Sequence, residues 1–452
     1  MQKGFLGESA GTFPGEHLGL RSIEASCIAR GIEVAVINGQ TANHRTLDET
    51  WAAIESAAAG GEPATVGFTG SSELFEEVED LAGRVRARWP RAKVVLGHDF
   101  GTLNAREVLD RYPVIDFVIR GEGEQSYCDL AAALESGADL GGVPGLVYRR
   151  DGSRLASTGL HAPLDLDALP PPTRADVPPV LEMGLAAAAF ASRGCAYRCN
   201  YCTTGALAGM LAGDGTHRYR SVTALADEIE ALIRDYGVRH VTIIDDLFVS
   251  RQRSSRERAR HFAQEIIDRG VDISLKFDCR VDSIEPELFG LLSQAGLREV
   301  FIGIESSSDS QLSYYNKTYD PAASSQEDFI RKQIAICHEL DIKVSPGIIT
   351  YHPHVTRDEL LLTADLMDFC EYRASYPYWS TIMAYPGTQL YADYARDGLL
   401  TGEWPVPGWK FSDKRAERHY RSVKAAAAAD PYDYETVRDT FRSELANWDL
   451  PL

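Results

Sequence analysis

Strand-like and helix-like stretches alternate along most of this chain, and that alternation limits the possible folds more than any other feature. Between Ile32 and about Tyr148 the strand-like runs are Glu33-Val34-Ala35-Val36-Ile37, Thr65-Val66-Gly67-Phe68, Lys93-Val94-Val95-Leu96 and Phe117-Val118-Ile119. Helical periodicity fills the gaps, as from Leu74 to Trp89. Strands that alternate with helices are joined by crossovers, so they form a parallel sheet covered on both faces. Residues 1–150 are therefore expected to form a doubly wound, Rossmann-like α/β domain. Such sheets bind ligands at the carboxyl ends of their strands. Gly67-Phe68-Thr69-Gly70-Ser71-Ser72 and Gly97-His98-Asp99-Phe100-Gly101 carry small residues there. Taken singly, each reads first as a tight turn and nothing more.

A proline-rich linker is expected over 151–183. Pro170-Pro171-Pro172 and Pro178-Pro179 cannot extend a helix. From Ala186 the alternation resumes. Strands are suggested at Ala187 to Ser192, His240 to Ile244, Ser274 to Phe277, Glu299 to Ile304, Lys343 to Ile349 and Tyr378 to Met383. Helices lie between them, such as Val222 to Tyr236 and Glu285 to Ala295. Six such units suggest a partial (β/α)6, TIM-like barrel over 184–400, with its site at the carboxyl ends of the strands. Residues 401–452, rich in aromatics and charge, are expected to form a helical cap.

The 452 residues are 44% hydrophobic and 25% charged, the balance of an ordinary globular protein. No apolar run approaches the length of a membrane span, and the first residues do not read as a signal peptide. A cytoplasmic protein is expected. The formal net charge of −20 repels nucleic acid and anionic membranes. It keeps the chain soluble, and it would also steer in a cationic small molecule.

Three of the eight cysteines crowd into Ser192-Arg193-Gly194-Cys195-Ala196-Tyr197-Arg198-Cys199-Asn200-Tyr201-Cys202. The other five are scattered, which suits buried packing rather than a disulfide framework. Thiolates at C-x3-C-x2-C spacing let one loop wrap a metal centre. Structural zinc takes four ligands, and the nearest histidine is His217. Three thiolates on a [4Fe–4S] cluster leave one iron open for catalysis. A zinc loop completed from a distance is the competing reading.

This loop, following a first barrel strand and with an aromatic before its third cysteine, resembles the radical S-adenosylmethionine (SAM) family. The resemblance implies a [4Fe–4S] cluster on Cys195, Cys199 and Cys202, SAM chelated to its open iron, and reductive cleavage to a 5′-deoxyadenosyl radical. Tyr201 would position the adenine. Further segments resemble the family's strand motifs: Ile243-Ile244-Asp245-Asp246-Leu247-Phe248, Phe277-Asp278-Cys279-Arg280, Phe301-Ile302-Gly303-Ile304-Glu305-Ser306-Ser307-Ser308-Asp309 and Ala384-Tyr385-Pro386-Gly387-Thr388. They imply SAM contacts from Asp245, Arg280, Glu305 and Ala384, and a substrate contact from Asp278. The fifth strand departs from the usual glycine-rich turn and reads Ile348-Ile349-Thr350-Tyr351-His352-Pro353-His354. Loop drift and a specialised substrate wall, with Tyr351 in it, both account for this.

The first domain resembles the cobalamin-binding domains fused to radical SAM barrels. The resemblance rests on His17-Leu18-Gly19-Leu20, Val94-Val95-Leu96-Gly97 and Phe117-Val118-Ile119-Arg120-Gly121-Glu122-Gly123-Glu124. Its departures are a Met1–Glu16 segment with four glycines and no apolar run, and Gly97-His98 in place of a glycine pair. His98 stands there as a cobalt ligand or as a solvated loop residue. These departures suggest a scaffold that does not need cobalamin. They place first a smaller branch that resembles the radical SAM diol-dehydratase of apramycin (aminoglycoside) biosynthesis. That reading implies an enzyme dehydrating a polycationic aminosugar in antibiotic biosynthesis. Asp246 or His352 would move the proton and Tyr219 would return hydrogen to the final radical. Its partners would be a flavodoxin-like or chemical electron donor and an NAD(P)H-dependent reductase. The alternatives are a cobalamin-dependent radical SAM methyltransferase and a non-enzymatic cobalamin or metal binding protein.

Overall fold

The computed structural model describes residues 15–39, 46–150, 152, 154–210 and 217–450. The eroded first-strand segment lies almost wholly in 1–14, outside the described residues. The chain divides into two compact units, residues 1–193 with 206–242, and residues 194–205 with 243–452. Ala187–Ala189 and His240–Ile243 are strands where strands were expected, and they share one five-stranded sheet with Ser274–Arg280, Leu297–Glu305 and Lys343–Ile348.

In the first unit, Thr65–Phe68, Lys93–Leu96 and Phe117–Ile119 form the expected parallel sheet, with Thr65 opposite Lys93 and Val95 opposite Phe117. Leu146–Arg150 and Arg154–Ser157 extend it antiparallel, so the sheet runs past residue 150. Helix Phe75–Arg88 buries Phe75, Val78, Leu81, Ala82 and Val85, a 3.6-residue stripe turned to the core. The expected strand Glu33–Ile37 pairs with no strand among the described residues. Exposure alternates along this segment as it would in a strand, yet it joins no ladder. An alternating pattern specifies two faces but supplies no hydrogen-bonding partner. The prolines Pro178 and Pro179 open a short helix, Val177–Glu182, where a missing N–H costs nothing.

In the second unit, Ser274–Arg280, Leu297–Glu305 and Lys343–Ile348 lie parallel in sequence order. Arg280 sits opposite Gly303, and Gly303 opposite Gly347. A Cβ on Gly347 would come within 2.5 Å of the Phe301 ring, so only glycine lets that ring lie over the strand. Helices Pro286–Gln294, Gln326–Glu339 and Arg357–Phe369 follow the strands.

The expected strand Tyr378–Met383 shrinks to one parallel bridge, Tyr351 to Thr381. Its first residue, Tyr378, is instead the end of a short 3-10 turn, Tyr376–Tyr378, that carries Pro377. The Ser380 hydroxyl donates to Ile348 O (2.7 Å) and accepts from Thr350 N (3.1 Å), replacing backbone pairing. Helices Lys414–Ala429 and Tyr434–Ala446 follow, packed through Val423, Val437 and Phe441. Among the described residues, no helix is long and apolar enough to cross a membrane.

Candidate cluster and cofactor site

The cysteine loop opens on Gly194, whose φ of +82° a side chain would resist. Cys195, Cys199 and Cys202 are half-buried. The loop is pinned from several directions. Asn200 N donates to Tyr315 O (3.2 Å) and Asn200 Nδ2 to Tyr314 O (2.7 Å). Asn316 Nδ2 donates to Arg198 O (2.7 Å), and Leu390 N to Asn200 O (3.0 Å). Gly205 packs on the loop backbone: a Cβ there would stand 3.1 Å from Cys199 O.

Burial pushes the Cys195 thiol up to about 11 against a backbone hydrogen bond from Tyr197, with the charge of Asp246 adding to the rise. Burial likewise raises Cys202, opposed by the N–H of Gly205. Backbone N–H groups aimed at sulfur are the donors that tune iron–sulfur thiolates. Among the described residues, no three His, Cys, Asp or Glu side chains converge on a single metal-ion position. Three half-buried thiols on one pinned loop, with N–H donors at two of them, form a donor set suited to a cluster whose irons each take one thiolate.

Arg280 stands over this loop. Its Nη1 is 3.8 Å from Cys199 Sγ, and its guanidinium lies 3.8 Å from the Tyr197 ring centroid. Asp282 accepts from Arg280 Nε (3.0 Å) and from the Tyr197 hydroxyl (3.3 Å). Arg280 and Asp282 are both buried, so each charge depends on the other.

Glu305 adopts φ +63°, unusual for a residue with a side chain. This conformation coincides with a shift of register between Gly303 and Glu305. Glu305 Oε1 accepts from Lys317 Nζ (2.7 Å) and from the Tyr201 hydroxyl (3.0 Å). Tyr201 packs edge-on to Tyr315, at 5.4 Å between ring centres. Ala384 is buried in the same cluster with Tyr315, Ile382 and Leu390, and Tyr201 packs against it. Tyr201, Glu305 and Ala384, predicted from three separate motifs, thus meet around one patch.

Asp245 is buried and Asp246 exposed, with Asp246 Oδ1 accepting from the Thr204 hydroxyl (3.0 Å). Burial, together with the charges of Asp246 and Asp245, pushes Asp278 up to about 7 against the pull of Lys276. These carboxylates form one electrostatic group.

The fifth-strand residues go elsewhere. Tyr351 is fully buried, with its hydroxyl on His419 Nδ1 (2.8 Å) and its ring edge-on to Tyr420. It faces the C-terminal helices rather than a substrate. His352 is buried between Tyr314, Tyr315 and Glu359, its Nε2 3.5 Å from Glu359 Oε2 and neither nitrogen in a hydrogen bond. Tyr219 belongs to the first unit, where its hydroxyl pairs with His217 Nδ1 (2.9 Å).

Sequence reasoning missed Asp282 and Lys317. Asp282 stood two residues past Arg280 and was open to discovery as its counter-charge. Lys317 lies in an irregular stretch where no periodicity announces that it turns back to Glu305.

At the strand ends of the first unit, Gly97 N donates to Phe68 O (2.9 Å). His98 is exposed at φ +70° and opens helix His98–Arg111. Burial holds His17 down to about 4, and the nearby His98 adds to the effect.

With this geometry in place, the family comparisons are decisive for the architecture. Residues 10–131 match the B12 binding domain, and residues 190–367 match the radical SAM superfamily. The chain is a B12-binding domain followed by a radical SAM domain. It is 26% identical over 401 residues to an uncharacterized methyltransferase of Pyrococcus horikoshii, covering 86% of this chain and 81% of that one. It is 30% identical over 259 residues to the anaerobic magnesium-protoporphyrin IX monomethyl ester cyclase of a Synechocystis strain. That match takes in 56% of this chain and only half of the cyclase. Among solved structures, the cobalamin-dependent SAM radical enzyme OxsB, with aqua-cobalamin and SAM bound, aligns with a TM-score of 0.72. At 15% identity, over 97% of this chain and 70% of OxsB, that likeness speaks for a shared fold.

Proposed function

We propose that this radical SAM enzyme is a cobalamin-dependent methyltransferase acting on a small molecule. The observation that carries the proposal is the match to a methyltransferase over most of both chains, with a B12-binding domain inside the matched architecture. A hopanoid C-3 methylase of Methylococcus capsulatus, 24% identical over 299 residues, points the same way. The dehydratase reading ranked first on sequence gains no support from these relatives, and the doubt it cast on cobalamin falls with it. The shortened landmarks at Gly97-His98 leave an exposed imidazole at the carboxyl ends of the strands, where such sheets take ligands.

Bound together, a [4Fe–4S] cluster, SAM and cobalamin would supply reductive cleavage of SAM and a transferable methyl group. The residues contribute position and charge. Cys195, Cys199 and Cys202 would hold the cluster, and Arg280 would offset the negative charge of its thiolates. Glu305, held by Lys317 and Tyr201, presents a carboxylate to the SAM ammonium, and Ala384 closes the patch beside it. The carboxylates of Asp246 and Asp278 favour a cationic substrate over an anionic one.

The test is anaerobic purification from cells supplied with cobalamin, followed by cobalamin and iron analysis and SAM turnover under reduction. The expected outcome is near-stoichiometric cobalamin and S-adenosylhomocysteine formation that requires it. Iron-loaded protein that takes up no cobalamin and forms only 5′-deoxyadenosine would overturn the proposal.

A further inference from the structure

Two cysteines outside the cluster loop meet in the first unit. Helix Leu18–Ala29 packs on helix Gly123–Ser136. The approach is close because position 123 is glycine: a Cβ there would stand 2.7 Å from Ile23 Cδ1. One turn further along, Cys27 Sγ and Cys128 Sγ lie 3.4 Å apart, at van der Waals contact. Both side chains are fully buried. The pair lies close to the surface: Ile28, next to Cys27, is 58% exposed, and the Arg30–Asp129 ion pair (2.6 Å) at the same end of the helix pair is itself partly exposed. Nothing in the cluster site uses these two thiols.

We propose that Cys27 and Cys128 form a reversible dithiol–disulfide site that fastens the first helix to helix Gly123–Ser136. The sulfurs need to close by about 1.4 Å to reach bonding distance near 2.05 Å, within the reach of small rotamer changes on two helices already in contact. Contact with Cys27, where either sulfur can donate, and the positive charge of Arg30 act against burial to lower the Cys128 thiol. Cys128 is assigned as the attacking thiolate on that basis and on the position of Arg30 beside the pair.

The co-reactant is a low-molecular-weight disulfide such as oxidised glutathione. The Cys128 thiolate attacks one of its sulfurs and releases one glutathione thiolate. Cys27 then gives its proton to solvent and attacks the mixed disulfide at Cys128, releasing the second glutathione. The protein pair is oxidised by two electrons, and the small disulfide is reduced to two thiols. The proposal is independent of methyl transfer.

The experiment treats the anaerobically purified, iron-loaded protein with oxidised glutathione or, in parallel, with dithiothreitol. Free thiols are then blocked with iodoacetamide and the protein is digested with trypsin. The expected product is peptide Ser22–Arg30 joined to peptide Gly121–Arg149 with the loss of two hydrogens, seen only after oxidation and absent in Cys27→Ser and Cys128→Ala. The oxidised wild type should also melt several degrees above the reduced form, a shift both variants lack. Recovery of both cysteines alkylated after oxidation would overturn the proposal. So would recovery of either one as a stable glutathione adduct or joined to Cys195, Cys199 or Cys202.

Discussion

Replacing Asp278 with asparagine tests whether the carboxylate group in the second unit is electrostatically loaded. Burial and the neighbouring Asp246 and Asp245 carry this group from 3.8 to about 7, with Lys276 opposing. That displacement corresponds to at most about 4 kcal/mol of penalty on the charged form. Water reaching the half-buried group lowers the figure. The sign follows from proton counting. Between pH 4 and 7 the folded chain holds a proton at Asp278 that the unfolded chain has lost, so stability falls as pH rises, by about 1.4 kcal/mol per pH unit at most, and levels off above 7. Asparagine has the shape of the protonated acid and does not titrate. Asp278→Asn should match wild type near pH 4, melt slightly above it at pH 5 and well above it at pH 8. At about 2–4 °C per kcal/mol for a domain of some 200 residues, the gap opens to no more than roughly 16 °C. The assay is differential scanning fluorimetry on both proteins, without SAM, from pH 5 to 8.5. A gap that stays constant across that range would refute the reasoning, because only a titrating charge makes the difference depend on pH.

Arg280→Ala leaves Asp282 buried without its counter-charge, and should destabilise the protein by about 3–5 kcal/mol in thermal melts. Arg280→Lys should restore part of the loss, since it keeps the charge without the two-pronged fit. Cys199→Ala should lower iron and sulfide content after anaerobic reconstitution and abolish 5′-deoxyadenosine formation, while far-ultraviolet circular dichroism stays unchanged. Tyr351→Phe removes the partner of His419 Nδ1 and should cost about 1–3 kcal/mol, leaving 5′-deoxyadenosine formation at the wild-type rate. Burial holds His419 down to about 4. Its contribution to stability is therefore complete above pH 6.5 and is lost as pH falls toward 4, which melts recorded in both Tyr351→Phe and wild type should show.

What the sequence disclosed and what it concealed divide along one physical line. Local pattern and spacing were legible. The three parallel strands of the first unit, the helix Val222–Tyr236 and the cysteine loop all follow from residues close together in the chain. Partnership across the chain was not. Glu33–Ile37 has the alternation of a strand but joins no strand among the described residues. Tyr378–Met383 keeps only one bridge, because its start is taken up by the 3-10 turn Tyr376–Tyr378 and Ser380 spends its hydroxyl on Ile348. Tyr351 and His352 are adjacent in sequence, yet successive residues of an extended segment point to opposite faces. Tyr351 therefore packs on His419 while His352 packs against Glu359. The same limit applies to Lys317, which reaches Glu305 from a segment without periodicity, and to Cys27 and Cys128, which meet where Gly123 lets two helices approach closely. Motif spacing identifies the atoms that bind a cofactor, because one loop supplies them. The groups that set the charge and rigidity of those atoms arrive from distant segments, and only the folded chain shows which segment delivers each of them.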